Sequence, residues 1–339
     1  MDGLRTWNRP MTDENDISDP PAQSVSTRRE GEFMNLRLAR MTWESEGVLS
    51  IELKDPSGAD LPPYAPGAHV DIGLPFDLVR QYSLCGDPGD RKTYKIAVRE
   101  LEGGRASQVV HHELRPGVLV RVGWPRNNFP FLEAKRYVFV AGGIGITPLR
   151  PMIREAHRRG ARWSLFYCAK AAGPAFFEEI EALGGEASFH ISQAGGRLDV
   201  DVLHDRPPDA LLYCCGPERL MRAVEEATAS WPEGTVRFEW FQARSQESHD
   251  DGAFEVVCQR SGRTIAVPPD KSILQALTEA GVEIACSCQQ GVCGTCEVAV
   301  VAGEVDHRDS ILSSAEHAAN TSMMTCVSRA LGPRLVLDI

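Results

Sequence analysis

The chain contains 339 residues, 42% of them hydrophobic and 24% charged, and it carries a formal net charge of −11. That length predicts about two or three domains of ordinary globular composition. The sequence has no run of eighteen apolar residues and no apolar core near its start, so we expect neither a membrane span nor a secretory signal. The acidic balance argues against binding to nucleic acid.

The first half of the chain changes character near residue 34. Residues 1–33 are rich in Asp, Pro, Ser and Thr and lack periodicity, which predicts a disordered tail. Residues 34–133 contain short β-branched segments separated by Pro- and Gly-rich turns, and this pattern predicts a small antiparallel β-barrel. The expected strand segments are 48–53, 68–72, 93–98 and 118–122.

One predicted strand of the barrel carries a candidate flavin motif, Arg80-Gln81-Tyr82-Ser83-Leu84. Strand alternation places Arg80 and Tyr82 on one face and Gln81 and Ser83 on the other. An aromatic ring able to stack on a planar group, beside an arginine and a hydroxyl, could hold a flavin. A tyrosine in a strand more often belongs to a core, so the motif alone leaves both interpretations open.

A glycine-rich turn, Gly103-Gly104-Arg105-Ala106-Ser107, precedes an apolar periodic stretch. A turn that enters a helix offers backbone amides and a positive dipole end to a phosphate. The alternative is a plain loop with Ser107 as the helix N-cap. The turn alone does not decide between them.

Residues 134–241 predict an α/β domain with a parallel sheet and right-handed crossovers. A buried strand at 137–141 runs into Gly142-Gly143-Ile144-Gly145-Ile146-Thr147-Pro148 and then a helix, the arrangement that cradles phosphates in nucleotide folds, although it is not the G-x-G-x-x-G fingerprint. The strand that ends in Cys215 is followed by Gly216-Pro217, at the end where such sheets bind ligands. Further predicted elements are strands at 163–168, 188–193 and 210–215, helices at 176–183, 200–204 and 218–229, and a closing segment at 236–241.

Residues 242–252 are small and polar and predict a linker before a third domain at 253–339. This domain contains Cys288-x4-Cys293-x2-Cys296, and twenty-nine residues separate Cys296 from Cys326. That spacing is the ligand pattern of a plant-type [2Fe–2S] ferredoxin. Structural zinc is the alternative, but zinc sites usually show two Cys-x2-Cys pairs. We also expect a hairpin at 254–267, a helix at 272–280 and strands at 297–301 and 334–337.

The remaining cysteines, three histidines and one lysine are also candidates for chemistry, and most of them are better explained by a structural role. The six remaining cysteines lie mostly in apolar runs and read as small buried hydrophobes, and free thiols beside a cluster fit a reducing cytoplasm. His111, His112 and His307 lack a second ligand at helical or hairpin spacing, so we interpret them as structural. Lys170 follows a strand and could contact a ribose or a 2′-phosphate, but it does not distinguish NADH from NADPH.

These motifs, in this order, resemble the phthalate dioxygenase reductase family, which includes reductases of vanillate-type O-demethylases. The resemblance covers about residues 34–339 and extends to the motifs at 306–309 and 326–330. It implies a β, α/β and α+β multidomain protein: an antiparallel FMN-binding β-barrel, an NADH-binding parallel-sheet domain and a C-terminal β-grasp ferredoxin domain. It also implies hydride transfer from NADH to FMN and delivery of single electrons through [2Fe–2S] to a Rieske-type oxygenase.

The resemblance assigns roles to individual residues. It implies cluster ligands at Cys288, Cys293, Cys296 and Cys326. It implies cofactor contacts in the barrel by Arg80, Gln81, Tyr82, Ser83, Ala97, Val98, Gly104, Arg105 and Ser107. It implies contacts around the nicotinamide and pyrophosphate by Gly143, Gly145, Thr147, Pro148, Cys215, Gly216 and Pro217. It implies catalytic positions for Ser83, Cys215 and Phe241, with Phe241 covering the flavin.

The sequence departs from the family pattern at Ala106 in the phosphate turn and at Cys286, which precedes the ligand loop and is expected to be a buried strand-end cysteine. Two alternatives stay open. The same chemistry could serve another acceptor, such as a P450 or a di-iron enzyme, or use FAD or NADPH. A non-enzymatic redox sensor would not need two cofactor-binding domains. We expect a monomer.

Overall fold

A computed structural model describes residues 33–76, 78–205, 207–242 and 252–339. The predicted tail, apart from Phe33, and the interior of the predicted linker lie outside these residues. Phe33 already belongs to the first strand, so regular structure begins one residue earlier than the sequence predicts. Among the described residues, no helix is long and apolar enough to cross a membrane.

The first domain is a six-stranded antiparallel sheet with the order β4-β3-β6-β1-β2-β5, as predicted for the barrel. Apolar side chains at alternate positions of these strands form one core, to which Leu36, Leu38, Val70 and Ile72 belong. The strands are β1 (Phe33–Ser45), β2 (Val48–Lys54), β3 (His69–Leu74), β4 (Leu78–Ser83), β5 (Tyr94–Arg99) and β6 (Leu119–Gly123). Between β5 and β6 lie α1 (Arg105–Gln108) and a π-helical turn (Val109–Glu113).

The second domain is a five-stranded parallel sheet with the order β11-β10-β7-β8-β9. Side chains of β7 alternate between two cores: Tyr137 and Phe139 pack on one face, and Val138 and Val140 on the other. Such a strand reads as a continuous apolar run because both faces are covered. The elements are β7 (Arg136–Gly142), α2 (Ile146–Arg158), β8 (Arg162–Ala169), α3 (Phe177–Ala182), β9 (Glu186–Ile191), β10 (Ala210–Cys215), α4 (Glu218–Ala227) and β11 (Val236–Glu239).

The strand order of this sheet reverses between β7 and β10, which creates a crevice at their carboxyl ends. Both predicted glycine motifs follow these two strands. The predicted helix at 200–204 is a 3-10 helix (Val200–Leu203), and α4 ends two residues before the predicted boundary.

The third domain is a mixed sheet with the order β13-β12-β18-β14-β16, in which only β12 and β18 are parallel. Ser272 and Gln275 form a capping box at the start of α5, which explains why this helix was predictable. The sequence did not predict β15, α6, β16 or β17. The elements are β12 (Phe254–Cys258), β13 (Arg263–Val267), α5 (Ile273–Glu279), β14 (Glu297–Ala302), β15 (Val305–Asp306), α6 (Ser314–Ala319), β16 (Ser322–Met324), β17 (Arg329–Ala330) and β18 (Arg334–Leu337).

Candidate functional site

The loop between α5 and β14 wraps tightly because several of its residues adopt left-handed backbone conformations. Gln289, Gly291 and Gly294 have φ angles of 53°, 68° and 76°. A Cβ on Gly291 would lie 2.6 Å from Cγ2 of Val327, so a side chain does not fit there. The loop and the turn after β16 thereby bring the four predicted ligand cysteines together. All of these cysteines are buried except Cys288, which is partly exposed.

The thiols of these cysteines form two neighbouring pairs. The Cys288 thiol beside Cys293 lowers the pKa of Cys293 to about 5, and Cys326 similarly lowers the pKa of Cys296 to about 7. In each pair one sulfur is thereby favoured as a thiolate, which is the form that ligates iron. Two pairs of sulfur donors match a cluster in which each of two irons takes two thiolates.

Backbone amides and a hydroxyl group face the sulfurs. The amide of Gln290 donates to Sγ of Cys288 at 3.3 Å, and the amide of Thr295 donates to Sγ of Cys293 at 3.5 Å. Oγ1 of Thr295 lies 3.3 Å from the same Cys293 sulfur. Such donors stabilise charge on cluster ligands, so these residues fit a [2Fe–2S] cluster.

At the crevice, the two glycine motifs approach each other backbone to backbone. A Cβ on Gly145 would lie 2.1 Å from the carbonyl oxygen of Cys215, and a Cβ on Gly142 would lie 2.4 Å from Cδ of Pro217. Gly216 faces Gly142 at similarly short range. Glycine is required here by the close approach, and the contact places the two predicted nucleotide motifs in one pocket.

The first turn of α2 uses its polar groups internally. Thr147 is buried and its hydroxyl donates to the carbonyl of Ile144 at 2.9 Å, while Pro148 is buried beside it. Gly143 is partly exposed and has a φ of 54°. Thr147 and Pro148 therefore shape the turn, and Gly143 lies at its exposed edge.

The predicted flavin strand is β4. Arg80 is exposed, Gln81 and Tyr82 are partly buried, and Ser83 is buried. Burial raises the pKa of Tyr82 to about 12. Nε2 of Gln81 is buried without a hydrogen-bond partner among the described residues. An unpaired buried donor is costly unless a ligand completes it, so this amide fits a bound cofactor with acceptor groups.

Most of the side chains of β5 and the following turn that the sequence predicts to contact the cofactor are buried or hydrogen-bonded within the protein. Ala97 and Val98 are buried, and the Val98 carbonyl lies 2.9 Å from Nε2 of His111. Ser107 accepts from the Leu101 amide at 3.1 Å and donates to the Gly104 carbonyl at 2.9 Å.

The two hydrogen bonds of the Ser107 hydroxyl bear on the alternative interpretation of this residue as a helix N-cap. Ser107 lies inside α1, so it is not the N-cap, which is Gly104. Arg105 is exposed, whereas the Gly104 amide donates to the Leu101 carbonyl at 3.0 Å and the Ser107 hydroxyl closes the turn.

An acidic residue missed by the sequence reasoning joins two of the predicted catalytic residues. Ser83 donates to Oε2 of Glu239 at 3.4 Å, and Glu239 is the cross-strand partner of Cys215. Burial raises the pKa of Glu239 to about 8, so the carboxyl group is mostly neutral at pH 7. The Cys215 thiol is fully buried, which raises its pKa well above the usual range. Phe241, two residues beyond Glu239, is 39% exposed.

Arg150 is a second missed residue and connects α2 to the segment that follows β4. It is buried on α2 and donates to the carbonyl of Cys85, just past β4. Its guanidinium also pairs with Glu179 at 2.5 Å and lies 4.8 Å from the Phe176 ring centroid. The signals for both missed residues were charged side chains within apolar segments.

His307 is not isolated, contrary to the premise from which we interpreted it as structural. Nε2 of His317 lies 3.3 Å from Oδ1 of Asp309, and Nδ1 of His307 lies 3.8 Å from the same oxygen. The Asp309 side chain is fully buried, and its Oδ2 accepts from two backbone amides at 3.1 and 2.8 Å. The amide of the next residue, Ser310, donates to the Gly291 carbonyl at 2.9 Å, so this group supports the cysteine loop from behind. Cys286 is exposed, not buried as expected.

Comparisons with known proteins agree with this geometry. The family described as "2Fe-2S iron-sulfur cluster binding domain" matches residues 256–331. Phthalate dioxygenase reductase of Burkholderia cepacia is 37% identical over 324 residues, which cover 93% of this chain and 100% of that protein.

Two solved structures match most of the chain. A structure of phthalate dioxygenase reductase superposes with a TM-score of 0.66 at 38% identity and covers 91% of this chain and 98% of that one. An intact type IV self-sufficient cytochrome P450 monooxygenase superposes with a TM-score of 0.84 at 39% identity; the match covers 91% of this chain but 41% of that longer protein.

Proposed function

The chain belongs to the phthalate dioxygenase reductase family of flavin and iron–sulfur oxidoreductases, and we propose that it carries electrons from NADH through FMN and [2Fe–2S] to a Rieske-type oxygenase. The observation that supports this route most directly is the order of the sites. Ser83 donates to Glu239, the cross-strand partner of Cys215 at the crevice. Asp71, the cross-strand partner of Gln81, accepts from Ser287 of the cysteine loop. When bound, the flavin accepts a hydride from the nicotinamide, and the pair of electrons leaves singly through the cluster.

The protein's own residues hold and orient the reactants. Gly145 and Gly216 let the two motifs pack backbone to backbone at the end of β10, which fixes the shape of the crevice. Ser83 and Glu239 form a hydrogen-bonded pair at the junction of the two domains. Because the Glu239 carboxyl is mostly neutral at pH 7, it holds a proton there and adds no full negative charge beside the flavin strand.

FMN and NADH are part of the proposal. The resemblance supports FMN, with Arg80, Tyr82 and Ser83 holding the flavin ring and ribityl phosphate. It assigns Gly104, Arg105 and Ser107 to the phosphate. Chromatography of the flavin released from denatured protein tests this assignment, since FAD in place of FMN would overturn it. Parallel titrations with NADH and NADPH test the nucleotide, and a higher kcat/KM for NADPH would contradict the choice of NADH.

The reductase activity itself is tested by anaerobic addition of NADH to purified protein. We expect bleaching of the flavin and then of the cluster absorption, followed by reoxidation when a Rieske-type oxygenase is added. Cytochrome c serves as a non-specific acceptor control. If NADH bleaches neither centre, the proposal is wrong.

A P450 is the second candidate acceptor, because the same architecture occurs in one chain with a P450 monooxygenase at a TM-score of 0.84. The two acceptors separate in a competition experiment. The reduced protein is offered a Rieske-type oxygenase and a ferric P450, and the rates of their reduction are compared. Faster reduction of the P450 would replace the Rieske partner in our proposal.

We also propose a monomeric protein in the cytoplasm. None of the ten cysteines forms a disulfide in the structure, which suits a reducing compartment. Fractionation of cells that express the chain, followed by size-exclusion chromatography with light scattering, tests both points. Recovery from an oxidising compartment or a dimeric mass would contradict them.

A further inference from the structure

An ion pair lies on the flavin side of the boundary with the cysteine loop. Nη2 of Arg126 donates to both carboxylate oxygens of Asp71 at 2.8 Å, and the Asp71 side chain is 13% exposed. Asp71 is the cross-strand partner of Gln81 in the predicted flavin strand. The backbone of Arg126 also pairs with His69 on β3. The pair is therefore fixed one strand away from the flavin motif.

Both members of the ion pair reach across to the cysteine loop. Nη1 of Arg126 donates to Oγ1 of Thr295 at 3.0 Å, and the Ser287 hydroxyl donates to Oδ1 of Asp71 at 3.2 Å. Ser287 directly precedes the first predicted ligand, and Thr295 lies between the second and third. The two contacts therefore hold the loop at both ends of its ligand triplet.

A third contact reaches a ligand residue directly. Nδ2 of Asn128 donates to the carbonyl of Cys293 at 2.9 Å, and Gly294, in a left-handed conformation, lies beside the same amide. Oγ1 of Thr295 is 3.3 Å from Sγ of Cys293. A continuous series of polar contacts thus leads from Arg126 through Thr295 to a ligand sulfur.

We propose that Asp71, Arg126 and Asn128 are positioning residues that dock the cysteine loop on the flavin domain for electron transfer from flavin to cluster. The proposal rests on the proposed function. In the step concerned, one electron leaves the reduced flavin and one ferric iron of the cluster becomes ferrous. Electron tunnelling weakens steeply with distance, so a loop held at a fixed separation transfers faster than one that is merely tethered.

The same contacts also affect hydrogen bonding to a sulfur ligand of the cluster. Arg126 donates to Oγ1 of Thr295, and the Cys293 thiol lies 3.3 Å from the same oxygen. Once Cys293 ligates iron as a thiolate it has no proton to donate, so the Thr295 hydroxyl becomes the donor in that contact. Hydrogen bonds to cluster sulfurs stabilise the reduced, more negative state. Arg126 therefore acts on the sulfur through Thr295, in addition to holding the loop.

The test uses full-length, cofactor-loaded protein, three single variants and one double variant that combines the first two. Arg126→Met removes the donor from the barrel side, and Thr295→Val removes the acceptor from the loop side with little change in volume. Arg260→Met is the matched control, because Arg260 makes a similar two-bond pair with Asp338 at 2.8 and 2.7 Å within the ferredoxin domain. Anaerobic stopped-flow spectroscopy with NADH follows flavin reduction and cluster reduction as separate phases.

For both site variants we expect unchanged flavin reduction and cluster reduction slowed about tenfold, the size expected for losing a hydrogen bond to a charged group. We expect the electron paramagnetic resonance spectrum of the dithionite-reduced cluster to shift in both. The double variant should be no slower than the slower single variant, because both substitutions break one path. Arg260→Met should match the wild type in both phases.

The outcomes separate the two proposals. If the wild type does not reduce its flavin with NADH, the proposed function fails. If the wild type works and both site variants reduce the cluster at the wild-type rate, the positioning role is refuted. A lower unfolding midpoint with normal cluster reduction and an unshifted spectrum would show that Arg126 and Thr295 are only structural, which also refutes it.

Discussion

Replacing Glu239 by Gln gives a prediction whose size follows from the surroundings of this carboxyl group. Burial moves its pKa from an ordinary 4.5 to about 8. A displacement of that size corresponds to about 5 kcal/mol of additional ionisation free energy in the folded protein. Glutamine keeps the shape and can remain bonded to Ser83, but it carries no titratable proton.

The sign of the pH dependence follows from proton binding. Between pH 4.5 and about 8 the folded protein keeps the Glu239 proton, whereas the unfolded chain has lost it. The wild type is therefore destabilised as pH rises through this window, by up to about 1.4 kcal/mol per pH unit. The Gln variant lacks this contribution. From about pH 5.5 to 7.5 its stability relative to the wild type should rise by about 3 kcal/mol.

Denaturant unfolding of both proteins at several pH values, followed by tryptophan fluorescence, measures this difference. Glu178→Gln is the control, because Glu178 is exposed on α3 of the same domain and its substitution should produce no such trend. A difference between wild type and Glu239→Gln that stays constant with pH would refute the raised pKa and, with it, the neutral carboxyl group beside Ser83.

Three further predictions concern the cluster and the crevice. Cys293→Ser should abolish the visible absorption of the cluster while NADH still reduces the flavin; a full cluster spectrum would contradict the ligand assignment. Gly145→Ala places a methyl group against the Cys215 carbonyl, so we expect about 1–3 kcal/mol of destabilisation and loss of NADH-dependent flavin reduction. Gly332→Ala, where nothing lies within 4 Å, is its control and should be neutral in both assays. Asp309→Ala leaves two backbone amides without an acceptor and should cost about 1–3 kcal/mol, seen as earlier loss of cluster absorption on heating; an unchanged profile would contradict its supporting role.

The parts of the fold that were predictable from sequence depend on local patterns. The cysteine spacing specified the ligand loop, and the apolar run at 137–141 specified a strand covered on both faces. The glycines of the two crevice motifs were recognised from their position after strands. In each case, residues close together in the sequence are sufficient to make the prediction.

The missed features depend on contacts between distant residues. Ser83 and Glu239 are 156 positions apart, and Asp71 and Arg126 are 55 apart. No periodicity within a segment can indicate such a pair, because its partners meet only when distant segments of the folded chain pack together. Ser107 shows the converse: its residue type suited a phosphate contact, but its hydroxyl is used by the turn in which it lies.

The cysteine loop has two unlike sides, and this separates the place where electrons reach the cluster from the place where they leave it. Thr295 and the Cys293 carbonyl contact the barrel, whereas Cys286, Gln289 and Gln290 are exposed to solvent. An acceptor that approaches the exposed residues does not compete with the barrel for the same atoms. The cluster can then be reduced by the flavin and oxidised by the acceptor in one arrangement of the chain. No movement of the ferredoxin domain between these two steps is needed for turnover.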